Sequence, residues 1–551
     1  MPRNLWQSLA VLAALALLTA CKGTDSVSAT EVQVTLQGRF EKLDPGGTTP
    51  TVMPARYCWA EVRDTASNAL IASGYLGSDG AGATAVPRGL SVYVRVYAQY
   101  QVPAADPSAF FLRGSVKNAP LPTAYLSGSA FDAIPVWSVT SAAFQADRDG
   151  TLTVTALAGN RVAGAFNIAD QAVTFGRAVR DLDTAGTLRL PNLHTFWTTS
   201  TSPVDQSRTY PELLWSASNA FLTSASGRAL FGHAVYGLAG GAGTETDEWD
   251  DGVLQETFAR LLFADHSYKA DGSSSLSLLR RDNDNAWVDR TVQSESTAAF
   301  VAGFSDFLAC AVRNDSQIRD SYVDAGGLPQ VATFDLASHA AVPGAAKGEF
   351  TRGSIAVSLW GIWKNTLGGS TAGLGTLWSA VRSTTAYLDG TGEFEQATLG
   401  CYPTYLQGVA SRVSASTCTA IQGELALEGV PNPGTSYFQG TALWETRTPA
   451  FTASGSLQTY PDTWYYDRNQ SQAWRFTHGG GARTLTMTPT GGQDFYLELL
   501  GPGGWVAGSY STPGSTRTLT FTTLPAGVYA ARVRAGATTA TGTFAYQISV
   551  N

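Results

Sequence analysis

Histidine, methionine and cysteine are scarce in this chain of 551 residues, which holds 5, 3 and 5 of them. Apart from His266, the histidines (His194, His233, His339 and His478) are scattered without ligand spacing, so no imidazole metal site can be read from them. No Gly-x-Ser-x-Gly elbow with a histidine partner occurs, and the glycine runs near Gly240 and Gly479 lack a phosphate-loop lysine. Those absences remove the familiar serine-hydrolase and nucleotide-binding readings. Basic clusters are missing too. With 36 Lys and Arg against 44 Asp and Glu, the mildly acidic balance argues against nucleic acid as a partner. Beyond the first residues, no stretch is apolar enough to span a bilayer, which takes about 20 residues.

What is present begins with an export signal. Arg3 supplies the positive start, and an apolar run follows from residue 9 to 18, short for a membrane span but right for a signal-peptide core. Leu18-Thr19-Ala20-Cys21 then has the small-residue pattern of a lipobox. Residues 1–20 are therefore expected to be a lipoprotein signal peptide, with Cys21 the lipidated N-terminus and the membrane a partner through that lipid. Several acyl chains on one residue give the anchoring that a single chain cannot. Lys22 follows, where an aspartate would suggest inner-membrane retention, so the expected address is the cell envelope, at the outer membrane.

The length suggests three or four domains of about 150 residues each. Abundant glycine (57 residues) with 14 Trp and 21 Tyr fits an exported protein rich in strands and turns. The exported compartment permits disulfides. Cys401 and Cys418 are the local pair expected to bridge, whereas Cys58 and Cys310 suit buried thiols as well as bridges. Residues 21–30 read as a polar tether. Across 31–157 the signals are those of strands. Val92, Val94 and Val96 alternate with Tyr93, Arg95 and Tyr97, the period of a strand with one buried face. The order Tyr57 to Asp64, then Ile71-Ala72-Ser73-Gly74, then the turn Ser78-Asp79-Gly80, resembles carboxypeptidase-regulatory or transthyretin-like β-sandwiches. Residues 164–430 change character. Leu254, Phe258, Leu261 and Leu262 fall at helical spacing, as do Phe300, Phe304, Phe307 and Leu308, and Ile355, Leu359, Ile362 and Trp363. From 456 to 551 strand patterns return, ending with Phe544, Tyr546, Ile548 and Val550 on one face; this tail resembles the bacterial pre-peptidase C-terminal domain. The fold class expected is multidomain α+β, a mostly α centre between two β-sandwiches.

The segment Thr246-Asp247-Glu248-Trp249-Asp250-Asp251-Gly252-Val253-Leu254-Gln255-Glu256-Thr257-Phe258-Ala259 resembles the entry to a gluzincin-type zinc metallopeptidase helix, where an acidic turn precedes HExxH. Phe300-Val301-Ala302-Gly303-Phe304-Ser305-Asp306-Phe307 resembles the helix that carries the third ligand of such enzymes, and Gly353 to Trp360 resembles the buried helix after it. The resemblance implies two imidazoles on one helical face, a glutamate that activates the metal-bound water, and a carboxylate from a second helix. Here those metal positions hold Gln255, Ala259 and Ala302, and only Glu256, at the general-base position, survives. Alanine has no ligand atom and an amide oxygen is a poor zinc donor. No zinc or other cofactor is therefore expected, and Glu256 without a metal has no acidified water to deprotonate. Its plainer role is that of a carboxylate near a helix N-terminus.

Other site readings are weaker. Glu245, Asp247, Glu248, Asp250 and Asp251 could hold calcium through oxygen ligands, but capping of the following helix by Asp250 or Asp251 is the expectation. Asp265 stands ten positions after Gln255, a spacing other zincins use, and His266 follows it; with the first two ligands missing, coincidence is the reading adopted. Asp282-Asn283-Asp284-Asn285 reads as a turn, and Trp464, Tyr465 and Tyr466 could stack on sugars. The expectation is an anchored, non-catalytic, peptidase-like protein that binds a peptide, a partner protein or a polysaccharide. Its rivals are a secreted hydrolase using a non-standard site around Glu256, and an adhesin acting through its sandwiches.

Replacing Cys21 by Ser removes the thiol that accepts the lipid. The variant is expected to lose labelled palmitate and to pass from the detergent phase to the aqueous phase on partitioning.

Overall fold

The computed structural model describes residues 30–103, 110–119, 134–183, 192–199, 208–209, 234–237, 246–266, 296–323, 327–338, 347–349, 351–388, 402–430, 444–459, 471–501, 504–510, 514–535 and 542–551. The expectations at Cys21, Cys401, His233, His339, Glu245, residues 282–285 and residues 464–466 lie outside them. The chain is sheet-rich, with several sheets and a few helices. It divides into two compact units. One holds the described residues up to Asp181, those from 192 to Gln255, and Arg319–Ala332; the other holds Leu182 and Asp183, those of Glu256–Ile318, and those from Thr333 onward.

In the first unit, strands β1 (Glu31–Lys42), β2 (Thr51–Pro54), β3 (Cys58–Asp64), β4 (Leu70–Tyr75), β5 (Ala81–Pro87), β6 (Ser91–Pro103), β7 (Phe110–Asn118), β8 (Ser138–Thr140), β9 (Phe144–Gln145) and β10 (Gly150–Ala156) follow in order. β1 pairs in parallel with β10 on one side and antiparallel with β5 and β2 on the other. The alternation in β6 buries Val92, Val94, Val96, Ala98, Tyr100 and Val102 while the residues between them stay half-exposed. β6 is the spine of a second sheet, flanked by β3 and β7, with β4 beyond β3. The two sheets come face to face at Gly38. A Cβ there would lie 2.8 Å from Leu76 Cδ1 and 3.3 Å from Val96 Cγ1, so β1 approaches β6 only because it has no side chain at this point.

The second sheet does not stop where the sequence changes character after residue 157. Helix α1 (Val162–Leu182) crosses over to β11 (Asn192–Trp197), which pairs in parallel with β7, and β13 (Ala234–Gly237) pairs in parallel with β11. β12 (Arg208–Thr209) closes that edge, giving nine strands. Parallel pairing needs a long connection, so β11 is far in sequence from its partner, and local pattern does not reveal the join.

Helices dominate part of the second unit. α2 (Asp251–His266) enters it at Glu256; α3 (Ser296–Arg313), α4 (Arg352–Gly361), α5 (Thr371–Leu388), α6 (Tyr402–Ala410) and α7 (Ala415–Leu427) follow. Ser414 caps α7, accepting from Thr417 N at 3.2 Å. Phe300 and Phe304 of α3 pack on Tyr405 of α6 with ring centroids 5.2 and 5.5 Å apart. α3 and α4 meet at Gly303, where a Cβ would lie 2.8 Å from the Arg352 carbonyl oxygen. A hairpin of β14 (Gln317–Val323) and β15 (Pro329–Asp335), not foreseen from the sequence, follows α3. None of the described helices is long and apolar enough to cross a membrane.

The C-terminal strands are β16 (Trp444–Arg447), β17 (Phe451–Thr459), β18 (Ser471–His478), β19 (Gly481–Pro489), β20 (Phe495–Gly501), β21 (Gly504–Ser509), β22 (Arg517–Leu524), β23 (Gly527–Ala535) and β24 (Gly542–Val550). They form a five-stranded sheet, β16-β18-β23-β20-β21, and a four-stranded sheet, β17-β24-β19-β22. Both contribute to one apolar core, in which Tyr546 of β24 meets Trp474 and Phe495 edge-on, each at 5.6 Å between centroids. This body begins at β16 or β17, slightly before residue 456 where the sequence pattern placed it.

Gly114 offers a direct check of the unforeseen join. A Cβ on it would collide with the Leu193 carbonyl of β11 and the Tyr100 ring. Gly114→Ala is expected to destabilise the fold by about 1–3 kcal/mol, measured by chemical denaturation. Gly159→Ala, with nothing within 4 Å, should have little effect.

Candidate functional site

The acidic turn ahead of α2 is a buried polar junction within the first unit. Asp247–Trp249 form a single 3-10 turn, and all three residues are buried. Arg161, left-handed at φ 62° before α1, donates from Nε to Glu248 Oε1 at 2.9 Å and lies over the Trp197 ring. Burial pushes the Glu248 carboxyl upward, against the opposing pull of Arg161. Asn167 of α1 donates from Nδ2 to the Glu248 carbonyl at 2.8 Å and to Asp251 Oδ1 at 3.3 Å. One turn on, Gln255 donates from Nε2 to Gln171 Oε1 at 2.7 Å. Asn167 and Gln171 on α1 thus face Asp251 and Gln255 on α2 in two successive rungs.

The expected capping of α2 by the Asp250 or Asp251 carboxylate is not what forms. Asp250 does stand at the cap position, its carbonyl accepting from Leu254 N at 2.9 Å. Its carboxylate, however, accepts from the Ser321 main-chain N–H at 2.6 Å and the Ser321 hydroxyl at 2.7 Å. Asp251 instead forms an ion pair with Lys42. The competing attractions are tertiary: the Ser321 N–H and hydroxyl engage Asp250, and the Lys42 ammonium engages Asp251, in place of the nearest helix N–H groups. The calcium grouping read from the sequence is also rearranged. Asp247 and Asp250 come together with Asp320 of β14, their carboxylate oxygens within 4.8 Å of one another, while Glu248 and Asp251 turn to Arg161 and Lys42. Burial, then Asp320 and Glu248, raises the Asp250 carboxyl well above its ordinary range.

Glu256 opens the part of α2 that belongs to the second unit, and it is 7% exposed. Its Oε1 accepts from Arg260 Nε, one helical turn later, and from Arg352 Nη2 at 3.0 Å. Arg352 in turn holds Asp306 in a two-pronged grip, Nε to Oδ2 at 2.6 Å and Nη2 to Oδ1 at 2.7 Å. Arg352 can reach both acids because Gly303 lets the start of α4 approach α3. All four side chains are nearly or fully buried, at 9% exposure or less. Burial draws the Arg260 guanidinium down to about 10, Glu256 and Asp306 opposing and Arg352 adding to the fall.

Of the positions expected at a metal, Gln255 and Ala259 are fully buried, Ala302 is 2% exposed, and Asp306 lies one turn after Ala302 on the same face of α3. Alanine contributes no ligand atom, and the Gln255 amide nitrogen is committed to Gln171. This donor set does not suit zinc. Asp265 and His266 lie in the last turn of α2. His194 Nδ1 meets Ser115 Oγ at 3.0 Å, and His478 is buried in the C-terminal body with Nε2 3.2 Å from the Leu524 carbonyl oxygen. Cys58 and Cys310 are buried; Cys418 is half-buried and unbridged, its sulfur 3.9 Å from the Ala410 carbonyl oxygen.

The residues sequence reasoning missed are Arg260, Arg352, Asp320 and Ser321. Only Arg260 had a local signal, its spacing of four from Glu256 on a helix.

No protein-family model and no curated protein matches the chain. Among solved structures it is similar to the pre-peptidase C-terminal domain of a collagenase from Bacillus anthracis, at 14% identity over 19% of this chain and 92% of that one, with a TM-score of 0.16. It is similar also to a periplasmic inhibitor of g-type lysozyme from Aeromonas hydrophila, at 14% identity over 20% of this chain and 96% of that one, with a TM-score of 0.14. No family is assigned on this basis.

Two variants test the junctions. Arg352→Met leaves Glu256 and Asp306 short of a buried partner, and a loss of about 3–5 kcal/mol of stability is expected in urea denaturation. For Asp250, a folded-state pKa above the unfolded value means the native state holds the extra proton. Its contribution is full below about pH 4 and lost as pH rises toward the folded value. Asp250→Asn should therefore flatten the decline in stability above about pH 4.

Proposed function

We propose that this chain is an envelope lipoprotein, anchored at Cys21 to the outer membrane, whose metallopeptidase-like centre lies between two β-sandwiches and acts by binding rather than by catalysis. Its ligand on this reading is a peptide, a partner protein or a polysaccharide. The observation that carries the proposal is the state of Glu256. A general base must face a water and a substrate, whereas this carboxylate is enclosed between the guanidinium groups of Arg260 and Arg352. The same helix offers Ala259 in place of a ligand, and α3 offers Ala302. Both guanidinium groups converge on one oxygen of this carboxylate, Oε1, so that the side chain is engaged in ion pairs within the fold. The four charges sum to zero, as a buried structural cluster requires.

On this reading the chain holds no zinc, and the acidic group of buried Asp247 and Asp250 with half-buried Asp320 is structural, not a calcium site. The rival is a hydrolase with a non-standard site at Glu256.

Metal analysis of the purified chain together with Glu256→Gln separates the two. The expected results are less than one zinc per several chains, no chelator-sensitive proteolysis, and a Glu256→Gln variant changed in stability alone. Stoichiometric zinc, or a proteolytic activity abolished in a folded Glu256→Gln protein, would sink the proposal.

A further inference from the structure

We infer that the outer face of the five-stranded C-terminal sheet holds a carboxylate-binding site, with the Nε–Nη2 edge of Arg534 as its two-pronged donor and Tyr496 and Tyr510 at its mouth. The site lies wholly within the C-terminal body and stands apart from the proposed function of the peptidase-like centre. Strand alternation builds this face. Leu497 and Leu499 of β20, with Ala531 and Val533 of β23, enter the apolar core. Glu498, Arg532 and Arg534 therefore point the other way, Glu498 beside Arg532 and Tyr496 beside Arg534 in the register. The second face of such a sheet is commonly wet. Here the side chains of Glu498, Arg532 and Arg534 are 2% exposed or less.

Glu498 is committed to other partners. Arg532 donates from Nε to its Oε2 at 2.7 Å, and the Tyr510 hydroxyl donates to its Oε1 at 2.8 Å. Burial opposes its ionisation, yet Arg532 and then Arg534 hold its carboxyl down to about 2. Arg534 itself stands 4.0 Å from Glu498 Oε1, beyond hydrogen-bond reach. Its guanidinium carbon lies 5.8 Å from the centre of the Tyr496 ring. Both Nε and Nη2 of Arg534 are buried, and neither has a hydrogen-bond partner among the described residues.

Those two atoms form the edge with which an arginine grips a carboxylate side-on. The same pair does so twice elsewhere in this molecule. Arg56 holds Asp170 through Nε at 2.6 Å and Nη2 at 2.8 Å, and Arg352 holds Asp306 in the same way. No other described arginine has both atoms buried without a partner. Charged donors buried without an acceptor are costly. A planar anion with two oxygens satisfies both at once, which a single water cannot. The ring pair leads from solvent to this edge. Tyr510 is 44% exposed, and its ring meets that of half-buried Tyr496 edge-on at 5.1 Å. Gly508 lets Tyr510 fold back to Glu498, because a Cβ there would collide with the tyrosine hydroxyl.

The test unfolds the full chain in urea at neutral pH, with sodium acetate set against sodium chloride at equal ionic strength. Acetate is expected to stabilise saturably, lowering the unfolding constant about tenfold at about ten times its dissociation constant. Arg534→Lys keeps the charge without the two-pronged edge, and Arg534→Met removes both; each should cut the acetate effect below about twofold. Arg63→Met, in the N-terminal sandwich, should respond like the parent, and far-ultraviolet circular dichroism checks that each variant is folded. A short peptide with one glutamate, compared with its glutamine counterpart, assigns the source of the carboxylate. Displacement of acetate at about a tenth of its concentration or less marks a protein segment, and no tighter binding marks a free carboxylate. Equal effects of acetate and chloride, an acetate effect retained in Arg534→Lys, or phosphate stabilising more than acetate would overturn the proposal.

Discussion

Four buried charges organise the helical part of this molecule. Glu256, Arg260, Asp306 and Arg352 come from three helices and balance to zero, and each acid is satisfied by a guanidinium that the packing brings to it. Charges of this kind cannot be left unmatched, because a single uncompensated ion in the interior is far costlier than an apolar side chain in the same place. The packing of α3 on α4 must therefore be close enough to seat Arg352, and Gly303 makes it so. The helix faces cannot slide without breaking a two-pronged Arg–carboxylate pair.

The same cluster sets the surroundings of Glu256. A carboxylate gains its chemistry from what surrounds it. Here Glu256 Oε1 accepts from two arginines, one on its own helix and one at the start of α4. In the first unit the start of α2 follows the same logic with neutral groups. Gln255 pairs with Gln171, and Asn167 spans Glu248 and Asp251, so the start of α2 is fastened to α1 by amide contacts.

Much of the secondary structure was legible. Val92, Val94 and Val96 bury one face of β6, Phe300 and Phe304 sit on the packed side of α3, and Tyr546, Ile548 and Val550 enter the C-terminal core, because hydrophobic period is a local property. What escaped was everything that depends on partners distant in sequence. β11, β12 and β13 join a sheet whose remaining strands end well before them, and the hairpin that brings Ser321 to Asp250 follows α3 without a strong pattern of its own. The capping role expected of Asp250 and Asp251 failed for the same reason. A local rule chose the nearest N–H groups, and Ser321 and Lys42 supplied better ones.

The sequence by itself determined the apolar run ahead of Cys21, the alternation of strand-rich and helix-rich blocks, and the residue types at 255, 259 and 302, an amide and two alanines. These are matters of residue type and short spacing, which need no fold to be true. Only the tertiary structure decided where the remaining charges go. Whether Glu256 faces water or Arg352, and whether Asp250 caps a helix or holds a hairpin, depends on burial and on the approach of chain segments tens of residues apart, where the low-dielectric interior makes each ionic partner compulsory.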